Sequence, residues 1–340
     1  MKNTLMKHLS NKFRIVVLIA AAMISIGSYA TVKTPSNHFL QLRDAFDKAT
    51  TIAQKQQLLK EMSSTGTFQG MMFAAKFLDN KSLGKTAAKT VIDIATRHIE
   101  YNGANTRAVV EHAKKFANGA DKKRAEAFLL IMPKTEKGYV QIFNGRDLSG
   151  WKGLVKNPIE RNKMSATELQ SAQVKADEQM RKDWQVVDGL LTYVGTGFDN
   201  ICTAKKYKDF EMLVDWKLDA SGKEPDAGIY LRGTPQVQIW DTARVNVGAQ
   251  VGSGGLYNNQ KHESHPSKVA DNATGQWNTF LIRMVGNCVT VYLNGEKVVD
   301  NVVLENYWDR SQDIFPIEQI ELQAHGSRVY YRDIYVKDLQ

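Results

Sequence analysis

Residues 228–241 read Gly-Ile-Tyr-Leu-Arg-Gly-Thr-Pro-Gln-Val-Gln-Ile-Trp-Asp, two short strands joined at Gly233-Thr234-Pro235. Strand alternation sends Ile229 and Leu231 to one face and Tyr230 and Arg232 to the other. Beyond the turn, Val237 and Ile239 alternate with Gln236, Gln238 and Trp240. One face is therefore aliphatic, while the other carries amide, guanidinium and aromatic groups. In a protein of two packed sheets the aliphatic face belongs against the second sheet, which leaves the polar aromatic face free for a polyhydroxylated ligand.

Short strands with turn signals surround this hairpin. They run from Trp184 to Val187, Leu190 to Val194, Asn200 to Thr203 and Phe210 to Leu218, and resume with Asn278 to Val285, Val289 to Leu293, Lys297 to Val299, Gln319 to Ala324 and Tyr330 to Val336. Asn294-Gly295 is a tight-hairpin signal, because both turn positions need positive φ. So many strands without intervening helices predict a two-sheet sandwich, with a jelly roll as its form. One interruption stands out. Ser165-Ala166-Thr167-Glu168 is a capping box that opens a polar helix from about Ala166 to Arg181, either a lid or a solvated excursion.

The first half of the chain has a different period. Between Ser36 and Ala127, Phe39, Leu40, Leu42, Phe46, Ile52, Leu58, Leu59 and Met62 recur at helical spacing, and an Ala-rich amphipathic run extends from Leu83 to Ile99. The succession predicts a small HEAT-like helical domain over residues 31–132, a docking or spacer unit. A polar hinge, Pro133-Lys134-Thr135-Glu136-Lys137-Gly138, separates it from the β region at 138–340. The fold class expected is thus α+β and multidomain: helices first, an all-β sandwich second.

Residues 1–30 carry the three parts of a secretory signal: basic residues up to Arg14, an apolar run from Ile15 to Ile26, and Ser28-Tyr29-Ala30 as a small-x-small cleavage site. Cleavage after Ala30 and a periplasmic or secreted mature protein are expected, with no lipid anchor because no Cys follows the site. The formal charge falls from +9 to +5 once Lys2, Lys7, Lys12 and Arg14 are removed. The remaining cations are interspersed with acids, which argues against nucleic-acid binding. The two cysteines, Cys202 and Cys288, lie in strand-like apolar runs, where an exported protein permits either a bridge or buried thiols. A zinc site built of thiolates is excluded.

Phe143-Asn144-Gly145-Arg146-Asp147-Leu148-Ser149-Gly150-Trp151 and Trp184-Gln185-Val186-Val187-Asp188-Gly189-Leu190 resemble the opening of the 3-keto-disaccharide hydrolase domain. Residues 228–241, Gln276-Trp277-Asn278-Thr279, Val291-Tyr292-Leu293-Asn294-Gly295 and Ile320-Glu321-Leu322-Gln323-Ala324-His325-Gly326 continue that resemblance in order across 138–340. It implies a concanavalin-like jelly roll and cleavage of glycosides whose ring has first been oxidised at carbon 3. Asp226-Ala227-Gly228 departs from the pattern, since a Ser is expected where Ala227 stands.

Ile320 to His325 repeats the alternation of the opening hairpin, with Glu321, Gln323 and His325 on one face. If this strand neighbours the hairpin, one wall carries Tyr230, Arg232, Gln238, Trp240, Glu321, Gln323 and His325. On the mechanism the resemblance suggests, a carbon-3 ketone acidifies the hydrogen on carbon 2 and a carboxylate or imidazole removes it. Glu321 or His325 is the expected base, with Asp241 next. Arg232 or a divalent cation is expected on the enediolate oxygen, and no cofactor is required. Structural roles compete with each: Arg232 in an ion pair with Asp241 or Asp226, His325 supporting a turn, Trp240 packing, and Trp277 in the core.

The Gly-rich loop from Gly252 to His265 offers Tyr257, Asn258 and Asn259 as sugar contacts. Its His262-Glu263-Ser264-His265 has the wrong His spacing for a zinc-peptidase helix, and Pro266 prevents one. No dinucleotide fingerprint is present, so a separate oxidoreductase must supply the ketone. Two other classes compete with this hydrolase or lyase: a non-catalytic carbohydrate-binding jelly roll, and an ordinary endoglycosidase, weakened by the lack of a paired acid and nucleophile.

Overall fold

The computed structural model describes residues 34–339. The expected signal sequence and cleavage site lie outside the described residues. Among the described residues six α-helices come first: α1 (Pro35–Lys48), α2 (Ile52–Thr65), α3 (Phe68–Ala75), α4 (Gly84–Arg97), α5 (Ala104–Lys114) and α6 (Gly119–Ile131). Threonines open the first three. Thr34, Thr51 and Thr67 each accept a hydrogen bond from the third backbone N–H of the following helix, and Gln54 completes a capping box with Thr51. Among the described residues, no helix is long and apolar enough to cross a membrane.

The β region is a sandwich of two antiparallel sheets. The larger has the order β11 (Glu296–Val303), β10 (Cys288–Leu293), β9 (Asn278–Val285), β6 (Phe210–Leu218), β13 (Val329–Asp338), β4 (Leu190–Tyr193) and β3 (Trp184–Val187), with β1 (Val140–Gln141) also paired to β13. The smaller has the order β2 (Trp151–Gly153), β5 (Ile201–Thr203), β12 (Glu321–Leu322), β7 (Asp226–Leu231) and β8 (Thr234–Trp240). The tight turn between β10 and β11 has Asn294 at φ 53° and Gly295 at φ 85°, the geometry its sequence predicts. Between the sheets, Ile229, Leu231, Val237, Ile239, Ile320 and Leu322 meet Phe210, Val214, Phe280, Ile282 and Val291 in one buried core.

Helices cover the outer face of the larger sheet. Phe68 packs edge-on against Tyr335 and tilted against Tyr139, while Leu213 and Trp277 join the helical core. A buried charge cluster ties the layers. Arg43 of α1 pairs with Asp333, Lys76 reaches Asp333 at 3.3 Å, and the Arg332 guanidinium donates to Asp215 at 3.2 Å while lying 3.8 Å from the centre of the Trp277 ring. Burial works against the Asp333 charge, but Arg43, Lys76 and Arg332 hold its carboxyl well below the usual range.

The interruption in the β pattern contains α7 (Pro158–Arg161) and α8 (Ala166–Asp183), the latter opened by the predicted Ser165–Glu168 capping box. Helix α8 lies against the edge strand β2. Asp177 accepts from Gly153 N–H at 2.9 Å and Gln173 donates to the Gly153 carbonyl at 2.8 Å. A Cβ on Gly153 would stand 2.1 Å from the Ala176 carbonyl oxygen, so only glycine allows this approach. The helix thus shields an open strand edge. Both cysteines are free thiols, Cys202 fully buried and Cys288 partly so.

Candidate functional site

The outer face of the five-stranded sheet is built in rungs, because residues directly opposite across an antiparallel pair share a face. Lys152 pairs with Cys202, Cys202 with Glu321, and Glu321 with Tyr230. On the next rung Gln323 donates its N–H to the Gly228 carbonyl at 2.9 Å, and Gly228 is opposite Gln238. On the third, Asp226 is opposite Trp240, and His325 Nδ1 lies 3.8 Å from Asp226. The structure therefore gathers Tyr230, Gln238, Trp240, Glu321, Gln323 and His325 on one face.

Above the first rung is a cavity of about 340 Å³, at the small end of the range for small-molecule sites. Glu321, Gln323 and Tyr230 form its floor, and Leu154, Lys156, Asn157, Phe198, Asn200 and Trp308 its walls. Glu321 is 1% exposed. Burial pushes its carboxyl up to about 8 against the opposing pull of Arg161 and an Asn200 hydrogen bond, and the Glu318 charge adds to the rise. Burial, reinforced by the Glu321 charge, also raises the Tyr230 phenol, so it stays a proton donor. Burial and then Glu321 push the Cys202 thiol to about 12, which leaves it inert. The Gln323 side-chain oxygen and His325 Nδ1 are buried without a hydrogen-bond partner.

Gly228 is small for a reason. A Cβ there would stand 2.8 Å from the Gln236 side chain and 2.9 Å from the Gln323 side-chain oxygen. Its absence leaves room for both amides. Gln238 is fixed in turn, donating to Asp226 at 2.8 Å and accepting from Gln236. Asp226 also faces Arg244 at 3.5 Å, and burial raises its carboxyl despite His325, Gln238 and Arg244.

Four expected contributors are elsewhere. Arg232 adopts φ 50° just past the end of β7, which turns it out of strand alternation, and its guanidinium donates to the carbonyls of Gly286, Pro316 (3.0 Å) and Lys208 (3.5 Å). It braces loops beside the hairpin turn and pairs with neither Asp241 nor Asp226. Asp241 lies beyond β8, where its carboxylate accepts from Thr274 at 2.6 Å and from the Ala243 N–H at 3.2 Å, holding a turn. Asn258 contributes its carbonyl to Arg310 at 2.7 Å, and the buried Asn259 amide bridges the Glu263 and Val303 carbonyls. Tyr257 is half exposed and stands edge-on to Trp240, at the Asp226 end of the face.

Four wall residues escaped the sequence reading. Asn200 and Phe198 precede β5, Lys156 sits at φ 52° before the Asn157 cap of α7, and Trp308 donates its indole N–H to the Gly233 carbonyl at 2.7 Å. Each comes from a loop with no periodic pattern, so only an orphaned Asn or an exposed aromatic between strands marked them. Among the described residues, no three His, Cys, Asp or Glu side chains gather as a metal-ligand set.

The profile of the 3-keto-alpha-glucoside-1,2-lyase-like domain matches residues 138–337, and the chain belongs to that family. A 3-keto-disaccharide hydrolase of Bacteroides thetaiotaomicron is 23% identical over 266 residues, an alignment covering 64% of this chain and 84% of the relative. Among solved structures, a candidate glycosyl hydrolase of Parabacteroides distasonis shows 24% identity and a TM-score of 0.45, covering 60% of this chain and 94% of that one. The carbohydrate-binding module CBM66 of Bacillus subtilis shows 11% identity and a TM-score of 0.34, covering 56% and 98%.

Proposed function

We propose that the protein is an exported enzyme that cleaves 3-keto-glycosides, 3-keto-disaccharides among them. The observation that carries this reading is Glu321, a carboxyl raised to about 8 at the floor of a small polar cavity and opposite the donor Tyr230. A base of raised pKa suits the removal of a hydrogen from carbon beside a ketone better than an ordinary carboxylate does.

In this scheme Glu321 takes the hydrogen from carbon 2, and the electron pair moves onto the carbon-3 oxygen. Tyr230 donates to that developing oxyanion, and Lys156 places a positive charge at the cavity wall. When the ketone re-forms, the carbon-1 to oxygen bond breaks and the aglycone oxygen takes a proton, for which His325, backed by Asp226, is the expected donor. Water then adds at carbon 1 while a proton returns to carbon 2, giving net hydrolysis. Release before water adds gives the lyase outcome. Phe198 and Trp308 supply faces for sugar rings.

The sandwich is read as the family's concanavalin-like jelly roll, and the helices as its HEAT-like mount on residues 31–132, after cleavage of residues 1–30. A separate oxidoreductase supplies the oxidised glycoside in the periplasm or outside the cell. A divalent cation remains an alternative partner for the enediolate; turnover unchanged by dialysis against a chelator assigns that oxygen to Tyr230 and Lys156.

The test is incubation with a 3-keto-disaccharide and with its unoxidised parent. Turnover of the keto form alone is expected. Binding of either sugar without turnover favours a non-catalytic carbohydrate-binding protein, and cleavage of the parent favours an ordinary glycosidase.

A further inference from the structure

Asn200 connects three parts of the cavity. Its backbone carbonyl accepts the Leu154 N–H at 3.1 Å, its side-chain oxygen accepts the Ala324 N–H at 2.9 Å, and its side-chain nitrogen donates to Glu321 Oε2 at 3.4 Å. The residue is 8% exposed, so water cannot replace these partners freely.

The Ala324 contact fixes the orientation of the amide. A backbone N–H needs an acceptor, and reversing the Asn200 side chain would set an NH₂ group against it, leaving two donors facing each other in a buried place. The oxygen must therefore stay on Ala324 and the nitrogen on Glu321. A side chain that can only donate to a carboxylate favours its charged form, and it also limits which way the carboxylate turns.

Resting on the reading of Glu321 as the proton-transfer group, we propose that Asn200 is its positioning residue: a flip-locked amide that aims one carboxyl oxygen and biases it toward the ionised, base-competent form. Glu321 is set in a strand whose own hydrogen bonds run to β5 and β7, and its pairing fixes only the backbone. The side chain needs a separate hold, and Asn200 supplies it from the segment leading into β5.

The test uses Asn200→Leu and Asn200→Ala in the full chain. The Glu321 carboxyl band is titrated by infrared difference spectroscopy, each variant against the same protein carrying Glu321→Gln, beside the pH profile of kcat/KM on a 3-keto-disaccharide. Asn200→Leu removes the donor at nearly constant volume and adds no charge, so it decides the matter if Asn200→Ala fails to fold. An upward move of the Glu321 midpoint by about one pH unit or more is expected in both variants, with an equal move of the rising limb of kcat/KM. A midpoint that stays in place in the folded variants overturns the inference. A midpoint that moves while the activity limb does not supports the Asn200 assignment and instead removes Glu321 from the chemistry.

Discussion

Glu321 and Tyr230 are partners in register across β12 and β7, so a carboxyl and a phenol share one rung of the sheet beneath the cavity. The Glu321 charge makes the phenolate costlier, adding to the burial that raises the Tyr230 phenol. A phenol that stays protonated thus stands beside a carboxyl poised near neutrality.

Glu321→Gln is expected to lower kcat on a 3-keto-disaccharide by about 10²-fold or more, because general-base contributions are of that size. Its effect on stability has a definite sign. The folded carboxyl titrates near 8 and the unfolded one near 4.5, so the folded state holds the extra proton between these values. Stability from this group is full below about 4.5 and is lost as pH rises through about 8. Thermal melts across that window should therefore decline in the wild type and flatten in Glu321→Gln, while kcat/KM of the wild type rises toward pH 8.

Gly228→Ala tests the amide row. The new methyl would press on Gln236 and Gln323, and the backbone there needs no special conformation, so the effect is steric and confined to the polar face. Overpacking of this kind costs about 1–3 kcal/mol. A fall in kcat/KM larger than the fall in Tm can explain is the expected result, measured by steady-state kinetics beside calorimetry.

Trp308→Ala and Phe198→Ala remove the aromatic walls. Ring stacking is worth about 0.5–1.5 kcal/mol, so each is expected to raise KM up to roughly tenfold and leave kcat nearly unchanged. Trp308→Phe keeps the face and loses the bond to Gly233. It should fall between wild type and alanine.

Arg43→Met strips the main cation from Asp333 on the side of the molecule away from the cavity. Breaking one partner of a buried pair costs about 3–5 kcal/mol, because the other charge is left in place. Tm should drop by several degrees, while kcat/KM at low temperature stays at the wild-type level. A loss of activity in the folded variant would contradict the separation of the two faces.

Period and turn chemistry made most of the fold readable. The β6 strand, the α8 capping box and the Asn294-Gly295 turn follow from local residues alone, and so does the division of the hairpin into an aliphatic and a polar face. Alternation failed where the backbone left the strand. Arg232 has the right parity on paper, but its left-handed φ and the register shift between Ile229 and Leu231 send it toward Gly286. Asp241 follows the last strand residue and turns to Thr274. Asn200, Lys156, Phe198 and Trp308 come from loops that meet only in three dimensions, and no spacing in the chain encodes that meeting.

The helical layer has a practical bearing on how the protein is handled. Leu213, Trp277 and Tyr335 are greasy and hidden only because α1 and its neighbours lie over them. A shortened chain starting at the hinge and holding just the family-matched segment would bare that surface to water together with Asp215 and Asp333, stripped of Arg43. Such a fragment should clump during expression even though every cavity wall is encoded within it, so assays of this enzyme need the helices attached.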